Sequence, residues 1–227
     1  MTNSILLLHG ALGSKSQLKT LKIRLSKDFN VYDLNFEGHG GRPSNRDFTM
    51  DVFTENVLKF LEENKLSKVS ILGYSMGGYV ALTLAKNHPN VVDKIITLAT
   101  KFDWTPAFAA NEVKMLNPDA IEAKVPAFAQ KLNALHSPND WKEVVHKTAD
   151  MMVGLGNGKR LHNADFQAIN HPVLIGLGTL DKMVTREESE MTAKLLPNAT
   201  FHAIEGLPHL IEKMDVEKLV GLVRKFV

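Results

Sequence analysis

The sequence contains no cysteine. That absence removes disulfides, thiolate metal ligands and cysteine nucleophiles together, and it fits a reducing compartment, so a cytoplasmic location is expected. An excess of one charge is also missing. Lys and Arg number 27 against 25 Asp and Glu, and a formal net charge of +2, spread along the chain, gives no footprint for nucleic acid. No apolar run is long enough for a membrane span, and no membrane association is expected. Met1 to Ser4 lacks the basic region of a secretory leader, so the apolar run that follows is expected to be a strand. There is no HExxH pattern and no phosphate-cradling P-loop, which leaves metalloprotease and nucleotide-hydrolase chemistry unsupported; neither a metal nor an organic cofactor is expected. Internal repeats and low-complexity segments are absent as well.

What is present is an ordinary globular composition, 44% hydrophobic and 23% charged over 227 residues, enough for one domain with an insertion. The most informative stretch is Val69-Ser70-Ile71-Leu72-Gly73-Tyr74-Ser75-Met76-Gly77-Gly78-Tyr79-Val80-Ala81-Leu82. It reads as an apolar strand, a Gly-x-Ser-x-Gly turn and a helix that runs to Pro89. So abrupt a reversal forces Ser75 into a strained conformation with its side chain exposed, and Gly73 and Gly77 supply the room. The helix directs its free N–H groups, beginning at Met76, toward the same point, where a carbonyl oxygen under attack would become negative.

Around this turn the pattern alternates between strands and helices. Ser4 to Leu8 is apolar without alternation, as in a strand covered on both faces, and it runs into His9-Gly10-Ala11-Leu12-Gly13-Ser14. That loop reads equally as a plain Gly-rich turn or as a source of a second N–H for the oxyanion, at Ala11. Ser16 to Lys27 predicts an amphipathic helix, Asn30 to Leu34 a strand, and Thr49 caps a helix to about Asn64. His39, in the intervening Gly- and Pro-rich loop, reads as structural. Lys94 to Thr100 predicts a fourth strand, Pro172 to Gly178 a fifth and Thr200 to Ile204 a sixth, with Thr185 to Glu188 a capping box and Asp215 to Val227 a closing amphipathic helix. Between the fourth and fifth strands, residues 101–171 show no strand. Asn117-Pro118 and Ser137-Pro138 each read there as a helix cap followed by proline, and Gly154, Gly156 and Gly158 as the end of a third helix. Residues 1–100 with 172–227 are therefore expected to form the core, and 101–171 a helical cap. Its Phe102, Trp104, Phe108, Phe128, Trp141, Met151 and Met152 suit an apolar pocket over Ser75, although most are expected to be the cap's own core, and a charged or highly polar substrate is not expected.

A serine hydroxyl needs a base to become a nucleophile, and an imidazole base needs an acceptor on its other nitrogen. In a parallel sheet all strand C-termini share one rim, and Ser75, Asp181 and His209 each follow such an end. Asp103, after the fourth strand, is the rival acid; the helix cap behind Asp181 favours the latter. Ser, Asp, His is also the chain order of enzymes built on this elbow.

Leu6-Leu7-Leu8-His9-Gly10, the Asp33 to Pro43 loop, Gly73-Tyr74-Ser75-Met76-Gly77-Gly78, Gly178-Thr179-Leu180-Asp181 and Pro208-His209 together resemble the α/β-hydrolase superfamily, and they span nearly the whole chain outside the cap. The resemblance implies an α/β three-layer sandwich with Ser75 as nucleophile, His209 as general base, Asp181 as the acid, and the N–H groups of Ala11 and Met76 as oxyanion hole. The family usually places two strands before the His-Gly strand; here that strand comes first, so a sheet of about six parallel strands is expected. Ala11 replaces the usual large residue, which opens one pocket wall or leaves it to Leu12 or a cap side chain. Leu12, Tyr74, Trp104, Phe108, Phe128 and Trp141 are the expected wall. Serine at the elbow, in place of aspartate, argues against dehalogenase and epoxide hydrolase chemistry.

The function expected is a serine hydrolase, carboxylesterase-like, cleaving a small, largely apolar acyl ester or thioester, working as a monomer or small homo-oligomer. The same three residues on this fold also serve C–C bond hydrolases, menaquinone-pathway lyases and perhydrolases. A binding module without turnover is the reading from another class.

Overall fold

The computed structural model describes residues 3–227; Met1 and Thr2, where the leader reading begins, lie outside the described residues. Among the described residues six strands form a single sheet: β1 (Ser4–Leu8), β2 (Asn30–Asp33), β3 (Val69–Tyr74), β4 (Val92–Leu98), β5 (Val173–Gly178) and β6 (Ala199–Ile204). Their order is β2-β1-β3-β4-β5-β6 and every pairing is parallel, as the resemblance implies. Parallel pairing requires a crossover after each strand, and those crossovers are helical. In chain order the helices are α1 (Lys19–Leu25), α2 (Met50–Glu63), α3 (Met76–Asn87), α4 (Pro106–Glu112), α5 (Pro118–Lys124), α6 (Pro126–His136), α7 (Trp141–Gly154), α8 (Asn163–Ala168), α9 (Arg186–Leu195) and α10 (Val216–Phe226).

The central strands are buried on both faces, so their side chains divide by parity between two cores. Ile5, Leu7, Leu72, Tyr74, Ile96 and Leu98 meet Leu21 and Leu25 of α1 and Leu219, Val220 and Val223 of α10. Leu6, Leu8, Ile71, Ile95, Val173 and Ile175 point the other way, into a larger core with α2 and α3. Helices α4 to α8 lie between β4 and β5, and Ala109, Val144, Met151 and Phe166 from them join that larger core. A separate small cluster, Ile121, Ala129, Leu132, Trp141 and Val145, ties α5, α6 and α7 to one another.

Local signals hold at most boundaries. Thr49 Oγ1 accepts from the Val52 N–H to start α2, Asn117 caps α5 ahead of Pro118, and the Thr185–Glu188 box opens α9. Two expectations are corrected. The helix expected from Ser16 begins as a 3₁₀ turn, Lys15–Leu18, before α1. Ser137 closes α6 and does not open α7; Asp140 caps α7 by accepting from the Lys142 N–H. A proline directly after a helix end blocks continuation as readily as a proline at a helix start fits, so Ser137-Pro138 suited either role.

Candidate active site

Strand order places the site. The chain leaves β1 toward β2 on one side, while β3 pairs on the other, and the crevice at this reversal holds the loop after β1 and the turn after β3. Ser75, between β3 and α3, has φ 50° and ψ −116°, a strained conformation for an L-residue. Its backbone is fixed there. The N–H donates to the Leu98 carbonyl at 2.8 Å, and the carbonyl accepts from Thr100 Oγ1 at 2.9 Å and from the Gly78 N–H at 3.0 Å. A Cβ at Gly73 would run into the Gly77 carbonyl, and one at Gly77 into the Leu8 carbonyl, so both positions require glycine. From Val69 through Ala85 every residue is buried except Ser75.

On the same rim, His209 donates from Nδ1 to Asp181 Oδ2 at 2.8 Å, leaving Nε2 as the basic nitrogen. The other Asp181 oxygen accepts from the N–H groups of Met183 at 2.8 Å and Val184 at 3.0 Å. Burial works to raise the carboxyl pKa, but the hydrogen bonds from His209, Val184 and Met183 outweigh it and hold the group below its ordinary value. The two loops are stitched together: Leu180 N–H donates to the Leu207 carbonyl at 3.0 Å, and Gly206 N–H to Thr179 Oγ1 at 2.9 Å. The Tyr74 ring lies tilted against that of His209, with centroids 5.8 Å apart. Asp103, the rival acid, is exposed.

Ser75 opens on a narrow cavity of about 40 Å³, walled by Ala11, Met76, Trp104, Met151 and Met152 among others. Met50, Tyr79, Met151 and Leu155 line both this cavity and a wider cleft of about 790 Å³ toward α2, α7 and α8. Ala11 and Met76 thus flank Ser75, and Met76 is the first residue of α3, where the helix leaves N–H groups unpaired.

The expected pocket wall is largely corrected. Trp104 lines the cavity, and Phe108 stands edge-on to it, centroids 5.5 Å apart. Tyr74 has the parity of Leu72 and faces the opposite core. Trp141 fills the small cluster of α5 to α7, Phe128 is 40% exposed on α6, and Leu12 packs between that cluster and the main core. Their places are taken by Met50, Tyr79, Leu155 and Lys101. Lys101 had a signal: it follows β4 on the rim that carries Ser75.

Three buried histidines brace the loops behind the site. His9 Nε2 accepts from the Phe36 N–H at 3.2 Å, so Nδ1 carries the proton and donates to the Gly10 carbonyl at 2.8 Å. His136 Nδ1 accepts from the Gly40 N–H and Nε2 donates to the Leu12 carbonyl, each at 3.2 Å. His39, lying between them tilted to one ring and edge-on to the other, donates from Nδ1 to the Glu37 carbonyl at 3.2 Å and reads as structural, not catalytic. Burial pushes the His9 pKa down to about 4 and lowers those of His39 and His136.

An all-parallel sheet sandwiched by helices, with a strained serine on its strand-to-helix elbow, defines a class of α/β enzyme. Residues 3–140 match the family model described as alpha/beta hydrolase fold, and the chain belongs to that family. It is 21% identical to a putative esterase/lipase of Haemophilus influenzae over 99% of this chain and 83% of that protein. To the human serine hydrolase BPHL it is 26% identical over 99% of this chain and 79% of that one. Other relatives, 30 to 33% identical, match over 41% of this chain and 28 to 36% of their own length. Among solved structures, a putative lipase from Acinetobacter baumannii superposes with a TM-score of 0.82 at 18% identity, covering 99% of this chain and 83% of that one, a likeness of fold. No helix among the described residues is long and apolar enough to cross a membrane.

Proposed function

We propose that the chain is a serine hydrolase of carboxylic esters or thioesters, acting on a small acyl group through an acyl-enzyme on Ser75. His209 Nε2 takes the Ser75 proton as Oγ attacks the carbonyl, and the Ala11 and Met76 N–H groups receive the oxyanion. His209 then protonates the departing alcohol or thiol, and water attacking with His209 as base releases the acid. Asp181 fixes the imidazole tautomer and steadies the imidazolium. The observation that carries this reading is the strained Ser75, the one unburied residue of its elbow, opening on a cavity beside Ala11 and Met76. The mostly apolar wall of Met50, Met76, Trp104, Met151, Met152 and Leu155 favours short acyl chains over sugars or peptides.

The test is turnover of p-nitrophenyl esters of graded chain length, with labelling of the protein by a fluorophosphonate. Ser75→Ala is expected to abolish both. Equal rates for variant and parent would overturn the assignment. Release of acid and alcohol in equal amounts separates ester hydrolysis from a lyase, which eliminates without an acyl-enzyme.

A further inference from the structure

Lys101 is the charged residue of an otherwise nearly apolar cavity wall, and its surroundings leave part of its ammonium uncommitted. Its side chain is 15% exposed, Nζ lies 2.5 Å from Glu188 Oε2, and the same atom sits 3.8 Å from the centroid of the Phe108 ring. Glu188 does not depend on that lysine for its own solvation. The carboxylate also accepts from the Phe102 N–H at 3.0 Å, Thr185 Oγ1 at 3.1 Å and the Thr185 N–H at 3.4 Å. It lies in the first turn of α9, where the helix dipole favours a negative charge. An ammonium has three N–H donors; at Lys101 one goes to Glu188 and one face rests on an aromatic ring, and Lys101 is among the residues that line the cavity onto which Ser75 opens. Beside it, the buried Trp104 Nε1–H, on the same loop and in the same wall, has no acceptor among the described residues. A buried donor left unpaired is costly, so two neighbouring donors in one wall favour a ligand that brings an acceptor.

We propose that Lys101, with Trp104, makes the site selective for substrates bearing a carboxylate in addition to the reacting carbonyl. This rests on the reading of Ser75 as the reacting centre. Glu188 and Phe108 are positioning residues that hold the ammonium at the wall. The carboxylate accepts from Lys101 Nζ and Trp104 Nε1, while the alkyl stretch between it and the ester lies against Met151 and Met152.

Binding to the Ser75→Ala protein tests this without turnover. Monomethyl glutarate and methyl pentanoate share a chain length and differ in a terminal carboxylate against a methyl group; titration calorimetry gives both affinities. The anionic ester is expected to bind at least tenfold more tightly. Adding Lys101→Met should bring the ratio near one, and adding Lys101→Arg should keep it above one. Equal or weaker binding of the anionic ester to the Ser75→Ala protein overturns the proposal, and that comparison does not require any Lys101 variant to fold. So does a preference that survives Lys101→Met in a protein whose melting curve shows it folded. Failure of the parent to hydrolyse esters or take up fluorophosphonate strikes the hydrolase reading, and the two failures are thereby distinguishable.

Discussion

Asp181 divides its two oxygens between different tasks, one for the imidazole and one for its own loop. An amide cannot do both. In Asp181→Asn one end must present an NH₂ either to the His209 Nδ1–H or to the N–H groups of Met183 and Val184, donor against donor. If the loop keeps its carbonyl, the imidazole meets a donor and moves its proton to Nε2, the nitrogen proposed to accept from Ser75. A loss of roughly 10³- to 10⁴-fold in kcat is the expected outcome, the scale set by the corresponding change in serine proteases. It is measured on a p-nitrophenyl ester beside the melting curve of the same preparation. A loss smaller than about tenfold in a folded protein would mean that Asp181 is not the partner the base requires. The pairing of Asp181 with His209 was legible in the sequence because both residues follow strand ends. Asp103 also follows one, but it stays in solvent, where no backbone N–H groups are directed at it.

Elements decide which side chains of α4 to α8, and of the loop before α4, reach the cavity. Helix α7 presents Met151 to the site from one end while Trp141, at its first turn, anchors it to Ile121, Ala129 and Leu132. Trp141→Ala removes the largest side chain of that cluster and is expected to cost about 3–5 kcal/mol, read from urea unfolding followed by circular dichroism. Hydrogen exchange should quicken first in α5 to α7 and leave β3 and α3 protected; uniform quickening would show that the cluster has no local role. This division was not legible beforehand. Aromatic residues at 104, 108, 128 and 141 look alike in a helical segment, and which of them lines the pocket depends on how α4 to α7 pack. Tyr74, expected in the wall, was a different case: its strand parity with Leu72 carried the signal that it faces the far core. The central strands were readable because their apolar runs are buried on both faces, whereas Ser137-Pro138 misled because the same pair can end a helix or begin one.

At the scale of the whole molecule, the loops after β1 and β2 and the end of α6 converge on His9, His39 and His136, and the loop after β1 is tied to α6 through the Leu12 carbonyl. Burial disfavours the charged form of all three rings and lowers their pKa values, His9 to about 4. In the unfolded chain the same histidines titrate near 6.5. Above that pH neither state is protonated and nothing is lost. Below it the unfolded chain binds protons that the fold disfavours, so stability falls as the pH falls, by about 1.4 kcal/mol per unit for a histidine that stays neutral in the fold. For His9 alone the fall continues to its folded value, roughly 3 kcal/mol in all. Carboxylates held low in the fold, Asp181 and Asp165 among them, act in a different window: their contribution is complete above about pH 4.5 and is lost only below. Between pH 6.5 and 4.5 the slope therefore belongs mainly to buried histidine. Urea unfolding at half-unit steps through that range is expected to show a steady loss of stability. In His39→Phe the aromatic setting of Phe48 and Phe53 accepts the new ring, and the slope should become shallower. A flat profile in the parent, or a variant that folds with the parent's slope, would show that His39 is not among the groups that set the acid limit.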